Sequence, residues 1–222
     1  MTFSIVARDP QAGTLGIAIS TAVPCVGSGV IYVKQGVGAI ASQAWTNPRL
    51  GTHGLRLLEL GLSPEAALTV LLKDDSDAAR RQVGAVDAWG RVFAYSGAGC
   101  EGWFGHRTGD NYSVQGNMLV SGDTIKAMAA TFEATPGHLA QRLVAALEAG
   151  QAAGGDKRGR VSTALLVRPP LTVPLPLWES ADIRVDEHPD PVAELRRIFN
   201  LVQEQAREIQ AESERLREAG AK

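Results

Sequence analysis

Apolar and polar residues alternate over the first segment of the chain, Thr2–Arg8, which places Phe3 and Ile5 on one face of an extended backbone. A repeat of two residues is typical of a β-strand. The same alternation returns over residues 14–21, after a turn-forming segment at residues 9–13. The pattern therefore predicts an antiparallel hairpin at the start of the chain.

Two periodicities organise the rest of the chain. Strand patterns occupy residues 29–34, 37–43, 82–86, 91–95, 112–114, 161–168 and 183–185. Apolar residues three or four positions apart, with start signals such as Ser63 before Pro64 and a stop signal at Gly61, predict helices around residues 55–62, from 63, from 121, over 135–150 and from 190. We expect a glycine-rich loop at 97–109, a polar loop at 154–160 and an irregular proline-rich connector at 169–176.

This order of elements predicts an α+β fold whose sheets are mainly antiparallel, because the strands come as hairpins and the helices come in pairs. A four-layer αββα sandwich, with two stacked sheets between two helical layers, fits the order. A two-layer α+β fold also fits it. Residues 1–200 are expected to form one domain, followed by a charged helical extension at 201–222.

Composition narrows the class of protein. The chain has 45% hydrophobic and 21% charged residues and a formal net charge of −2, which does not favour a nucleic-acid or anionic-membrane partner. It contains no apolar run near the roughly 20 residues that span a bilayer, and no signal-peptide pattern, so we expect a cytoplasmic protein with two reduced cysteines. Asp186 and His188 lack a third ligand, so neither a metal nor another cofactor is expected.

Several short runs, taken in order, resemble one protein family. They are residues 1–10 (MTFSIVARDP), 36–39 (GVGA), 42–44 (SQA), 46–48 (TNP), 81–84 (RQVG), Cys100, Trp103, 105–109 (GHRTG), 114–119 (VQGNML), 154–160 (GGDKRGR), 184–186 (RVD) and 188–191 (HPDP). The family is an uncharacterised one, domain of unknown function 1028, placed in the N-terminal nucleophile (Ntn) hydrolase superfamily. The resemblance implies the αββα sandwich, hydrolysis of an amide or similar C–N bond through an acyl-enzyme, and assembly into a homo-oligomer.

Thr2 is the nucleophile that the resemblance implies. A threonine hydroxyl needs a base, and the α-amine of an N-terminal residue has a pKa near 8, close to the working pH. Thr2 directly follows Met1, and removal of Met before a small residue would free that amine without a propeptide. An ordinary first strand explains the same dipeptide without catalysis.

Two further catalytic residues follow from the same resemblance. In related enzymes a lysine near the nucleophile lowers its pKa, and Lys34 is the only lysine before Lys73. An aspartate and a serine from the later part of the chain orient the N-terminal residue, which indicates Asp156 and Ser162. The structural alternatives are a solvated strand-end lysine and a turn aspartate that binds nearby backbone.

The oxyanion of an acyl-transfer intermediate needs hydrogen-bond donors, which backbone groups at residues 42–44 and 116–117 could supply. The predicted substrate-binding residues are Gln43, Ala44, Cys100, Trp103, His106, Gly116, Asn117 and Arg158. The glycine in 115–117 is equally explained by a turn.

Three alternatives remain open from the sequence. Cys100 and His106 form a rival nucleophilic pair. A non-catalytic binding protein would use the region of Gln43, Trp103 and Asn117 as its pocket. An assembly subunit would use the helix at residues 190–222 as its interface.

Overall fold

A computed structural model describes residues 2–170 and 180–220, with side chains of the last helix described to Arg217. Its strands are β1 (Thr2–Arg8), β2 (Leu15–Thr21), β3 (Ile31–Lys34), β4 (Gly38–Ala44), β5 (Arg81–Asp87), β6 (Val92–Ser96), β7 (Trp103–Gly109), β8 (Tyr112–Leu119), β9 (Ser162–Arg168) and β10 (Ala181–Val185). Its helices are α1 (Pro48–Glu59), α2 (Pro64–Lys73), α3 (Asp123–Ala134), α4 (Leu139–Ala152) and α5 (Pro191–Gly220).

The strands form two antiparallel sheets. The larger sheet has six strands in the order β10-β9-β2-β1-β8-β7, and the smaller has four in the order β3-β4-β5-β6. Every pairing between these strands is antiparallel. The prediction of a mixed α+β fold with antiparallel sheets is confirmed. Strand β1 lies near the middle of the larger sheet, so its first residue is held from both sides.

Three apolar cores hold these elements together. One core lies between the larger sheet and α3, α4 and the first turns of α5, and it includes Phe3, Met128 and Phe199. A second lies between the two sheets. A third joins the smaller sheet to α1 and α2 and includes Ile40 and Leu68. Both faces of each sheet are therefore covered over much of their area.

Local sequence explains where α1 and α2 begin and end. The Asn47 side chain accepts a hydrogen bond from the backbone N–H of Arg49, and the Ser63 side chain accepts one from the N–H of Ala66. Each capping residue precedes a proline in the first turn, where the missing N–H costs nothing. Gly61, beyond the end of α1, has a φ of 93° and occupies the left-handed region that favours glycine.

Three sequence predictions for the middle of the chain were wrong. Residues 103–109, expected in a loop, form β7, and β8 continues to Leu119 instead of ending at residue 114. The edge strand β7 is mostly solvent-facing and polar, so it lacks the apolar alternation that marks a strand. Helix α4 begins at Leu139, after Gly137 with φ of 101°, and not at residue 135. Of the predicted connector at 169–176, residues 171–176 lie outside the described residues.

The chain crosses the expected 200/201 boundary inside a single helix, since α5 runs without a break from Pro191 to Gly220. Its first turns bury Val192, Leu195 and Phe199, and most later positions are exposed except Ala206. Of the helices in the described ranges, none combines the length and the apolar character that crossing a membrane requires.

Candidate functional site

Four polar residues form one row across the larger sheet at the end where β1 begins. Thr2 is paired with Thr21 on one side and with Asn117 on the other, and Thr21 is paired with Ser162. Side chains of directly paired residues share a face of the sheet. The face is the one covered by the smaller sheet, because Val6 of the same strand belongs to the core between the sheets. Thr2 is only 6% exposed, and its Oγ1 lies 3.3 Å from Oγ1 of Thr21.

A second row lies one pair deeper between the sheets. Gln115 donates through Nε2 to Oγ of Ser4 at 2.6 Å and accepts a hydrogen bond from Ser113 at 2.8 Å. Ser4 in turn donates to Oε1 of Gln43, on the smaller sheet, at 2.7 Å. The polar face of β1 thus continues from Thr2 to Ser4 before it becomes apolar at Val6.

A third polar row lies on the smaller sheet, opposite the other two. It consists of Gln43, Gln82 and Ser96, which are paired on neighbouring strands. Gln43 Nε2 lies 3.4 Å from the carbonyl oxygen of Thr2 and donates to Oε1 of Gln82 at 2.8 Å. Gln82 Oε1 also accepts from Nδ2 of Asn117 at 2.8 Å. Its own Nε2 donates to Ser96 Oγ at 2.8 Å and to the Gly116 carbonyl oxygen at 2.8 Å.

Most residues of these three rows, together with Ser113, make a buried polar cluster between the sheets, which we call the inter-sheet cluster: Thr2, Ser4, Thr21, Gln43, Gln82, Ser96, Ser113, Gln115 and Asn117. Burying amides and hydroxyls costs free energy unless they are hydrogen-bonded. Here polar groups of one sheet form hydrogen bonds with polar groups of the other. Gly84 makes room for the cluster, because a side-chain carbon at that position would lie 2.0 Å from Oε1 of Gln115.

The end of the cluster nearest Thr2 is bordered by unusual backbone. Ala44, directly after Gln43, has a φ of 67°, and Met118, directly after Asn117, has a φ of 49°. Residues other than glycine hold this left-handed conformation only where the surroundings impose it, which often occurs at functional sites. Both residues lie where the chain leaves the inter-sheet cluster.

Asp156, which the resemblance indicates as a site residue, lies beside the row of Thr2 and Thr21. Its Oδ2 accepts a hydrogen bond from the N–H of Ala22, the residue after Thr21, at 3.1 Å. Its backbone forms a bridge with Leu119 at the end of β8. The carboxylate is 1% exposed and pairs at 3.2 Å with Arg158, whose side chain is 39% exposed. Ser162 donates to the carbonyl oxygen of Val23 at 2.6 Å.

The structure does not bring Lys34 to Thr2. Lys34 pairs with Gly38 at the far end of β4, whereas Gln43 approaches Thr2 five residues later, about 17 Å along the strand. Its Nζ forms an ion pair with Glu59 at 2.5 Å. The expectation failed because position in the chain identified Lys34 without revealing at which end of the sheet it lies.

Cys100 and His106 have separate partners. The Cys100 thiol donates to the Arg81 carbonyl oxygen at 3.5 Å, and burial raises its pKa. His106 Nδ1 lies 2.9 Å from Ser96 Oγ, and burial lowers the pKa of its imidazole. Both shifts oppose the thiolate–imidazolium state that a reactive pair requires. His106 instead touches the inter-sheet cluster at its outer edge.

The remaining predicted residues take different positions. Gly116 lies inside β8, paired with Phe3 on one side and with Gly105 on the other, so the turn interpretation is wrong. Trp103 begins β7 and is 40% exposed, and its ring lies within 2.5 Å of where a side-chain carbon on Gly122 would be.

Sequence reasoning missed Thr21, Ser4, Gln82 and Gln115. The available signal was a run of polar residues at every second position of a strand, which ordinarily indicates a solvent-facing side. Here that side is covered by the other sheet. In the described ranges, no group of three or more His, Cys, Asp and Glu is arranged to hold a metal ion.

Comparisons with known proteins identify the family. The model of the family of unknown function DUF1028 matches residues 2–195. The crystal structure of protein SPO2555 from Silicibacter pomeroyi, which carries the same family label, is 33% identical, covers 90% of this chain and 88% of that chain, and superposes with a TM-score of 0.81. Anbu (ancestral beta-subunit) from Yersinia bercovieri is 12% identical, with coverage of 94% and 96% and a TM-score of 0.38, which is too weak to support an argument. No curated protein matches the chain.

Proposed function

Since the chain belongs to DUF1028, a family of unknown function, we propose from the geometry of its site that it is an N-terminal nucleophile amidohydrolase. It would cleave a small amide or a peptide C–N bond through an acyl-enzyme on Thr2. The corresponding fold is the four-layer αββα sandwich of Ntn hydrolases. The three apolar cores support this fold, because they lie on the outer side of each sheet and between the two sheets.

One observation carries the proposal: the Thr2 hydroxyl lies at the end of the inter-sheet cluster, on a central strand of the larger sheet. Thr21, Asn117 and Gln43 hold the residue from three directions. Burying polar amides costs more free energy than burying apolar side chains. A position with only a structural role would therefore favour apolar neighbours over the row of amides that surrounds Thr2.

The chemistry requires Thr2 to be the first residue of the mature chain, whichever processing produces that end. Met1 lies outside the described residues. The free α-amine takes the hydroxyl proton while Oγ1 bonds to the carbonyl carbon of the substrate. The C–N bond then breaks, and the same proton passes to the leaving amine. Water, deprotonated by the α-amine, cleaves the ester and restores the hydroxyl.

The oxyanion would be held by backbone N–H groups around Ala44 and by Asn117. An amide nitrogen carries two N–H donors, and Asn117 gives one of them to Gln82. Asp156 and Ser162 would act by fixing the chain beyond Thr21. Removal of one oxyanion donor typically costs about 10²–10³ in kcat.

The experiment combines mass and turnover. We expect the mature protein to begin at Thr2 by intact mass, Thr2→Ala to lose amide turnover, and Thr2→Ser to keep part of it. Lys34→Gln is the matched control and should keep full turnover, since Lys34 is remote. Turnover by protein that retains Met1 would contradict the proposal. Binding of amides without turnover in the unmodified protein would favour the non-catalytic alternative.

An assembly role is a second candidate, favoured by α5. Ile209 and Leu216 are 49% and 65% exposed on a helix that continues the buried face of Leu195 and Phe199 past the body of the protein. Apolar residues repeated at this spacing are typical of helices that pack against a partner. Replacing Ile209 and Leu216 by lysine should then reduce the mass measured by light scattering, with the exposed Gln210→Lys as control.

A further inference from the structure

A glycine-rich segment, residues 97–102, crosses from one sheet to the other beside the site. On the side of the smaller sheet, the N–H of Gly97 donates to Arg81 at 2.9 Å, and the N–H of Gly99 donates to Ala79 at 2.7 Å. On the side of the larger sheet, Glu101 accepts a hydrogen bond from the N–H of Met118 at 2.9 Å. Because Met118 follows Asn117, this crossing segment borders the end of the inter-sheet cluster where Thr2 lies.

Arg80 lies on the smaller-sheet side of the crossing segment. Its guanidinium carbon is 3.7 Å from the ring centroid of Trp45, and Trp45 follows Gln43 by two residues and is 55% exposed. A side-chain carbon on Gly99 would lie 3.4 Å from Arg80 Cγ. Across residues 2–170 and 180–217, no carboxylate lies within ion-pair distance of Arg80, whereas the neighbouring Arg81 is bound to Asp75 at 2.8 Å.

Lys157 lies on the larger-sheet side. Its N–H donates to the Met118 carbonyl oxygen at 3.2 Å, and its Nζ lies 3.2 Å from where a side-chain carbon on Gly102 would be. No described carboxylate forms an ion pair with Lys157. Glu101 is the one acidic residue of the crossing segment, and it is exposed and pairs with neither cation among the described residues.

We propose that Arg80 and Lys157 form an anion-binding subsite at the mouth of the Thr2 site, and that the substrate is an amide carrying a free carboxylate, such as an N-acyl amino acid or a short peptide. This inference rests on the proposed function. A guanidinium that stacks on an aromatic ring through its face, as that of Arg80 does on Trp45, keeps its N–H groups in the plane of its edge, and that edge matches both oxygens of a carboxylate. Lys157 supplies a second positive charge from the opposite sheet. The two cations thus lie on opposite sides of the crossing segment, next to the end of the inter-sheet cluster that holds Thr2.

Binding is tested apart from turnover, with the Thr2→Ala protein. The probes are N-acetyl-L-alanine and N-acetyl-L-phenylalanine, each compared with its uncharged primary amide by calorimetry. We expect tighter binding of the acids, and a loss of roughly tenfold in that preference for Arg80→Gln or Lys157→Gln, as charge-assisted hydrogen bonds imply. Lys34→Gln, at the far end of the sheet, should not change it.

Glu101→Gln gives the opposite prediction, which misfolding cannot imitate: removal of the neighbouring negative charge should tighten binding of both acids. Equal binding of acid and amide, no binding of either, or a preference that Arg80→Gln and Lys157→Gln leave intact would overturn the subsite. If Thr2-dependent turnover persists with no preference for acids, the subsite fails and the proposed function stands. If acids bind through both cations but Thr2→Ala does not affect turnover, the reverse holds.

Discussion

Asn117 donates its side-chain amide to Oε1 of Gln82 across the gap between the two sheets, at 2.8 Å, beside the first residue of β1. The same oxygen accepts from Gln43, so one buried amide orients a residue on each sheet. The geometry around Thr2 therefore depends on a glutamine that is fully buried between the sheets.

Gln82→Leu should destabilise the protein by about 1–3 kcal/mol, because Asn117, Gln43 and the Gly116 carbonyl oxygen would each lose a buried partner. Urea denaturation measures the change in the free energy of unfolding. Gln210→Leu, on the exposed part of α5, should change it by less than about 0.5 kcal/mol. Equal stability of the two variants would mean that the amide network contributes nothing net.

Gly84→Ala should destabilise the protein by about 1–3 kcal/mol, the usual range for overpacking a buried site. The new carbon would lie 2.0 Å from Gln115 Oε1 and would push that side chain away from Ser4 and Ser113. Gly29→Ala is the matched control, because nothing lies within 4 Å of its added carbon. Shortening Gln115 to alanine in the Gly84→Ala protein should recover part of the loss, measured by thermal unfolding.

Asp75 should make folding sensitive to acid. Hydrogen bonds from Arg81 hold the pKa of Asp75 well below its usual range. A carboxyl whose folded pKa is depressed stabilises the fold above its unfolded pKa, near 4, and loses that contribution as the pH falls further. Asp75→Asn should therefore be less stable than the unmodified protein at pH 7, with a difference that shrinks toward pH 2–3 in denaturation curves. Asp74→Asn, at an exposed position, should show no such convergence.

Cys100 should be slow to alkylate and dispensable for turnover. Burial raises the pKa of its thiol, so little thiolate forms near neutral pH, whereas Cys25 is exposed. Mass spectrometry after iodoacetamide treatment at pH 7.5 should show label on Cys25 before Cys100. Cys100→Ala should retain the amide turnover that Thr2→Ala loses. Loss of turnover in Cys100→Ala folded protein would revive the Cys100–His106 pair.

The first hairpin was predictable because local alternation over Thr2–Arg8 and a five-residue turn determine it. The edge strand β7 was not, because a strand with one open edge and a solvent face carries no apolar repeat. The resemblance indicated Thr2, Gln43, Asn117 and Asp156 as site residues, and the structure places all four at one end of the sheets. The sequence did not indicate Gln82, because a polar residue in a strand is equally compatible with a solvent-facing side. In the structure the larger sheet covers that side.

Lys34 shows the complementary limit. The β3–β4 hairpin is local, but which of its ends faces Thr2 follows from contacts distant in sequence, such as the one between Gln43 and Thr2. A residue can therefore have the right chemistry and the right strand, and still lie about 17 Å from where it would act.

The backbone conformation of Ala44 implies that some stability is given up for selectivity among ligands. An alanine held at a φ of 67° costs about 1–2 kcal/mol that glycine would not incur. Glycine would relieve that strain, but it would also give Trp45 and the stacked Arg80 more conformational freedom. We therefore expect Ala44→Gly to be more stable but less selective among ligands. The strain at Ala44 keeps this border of the site rigid.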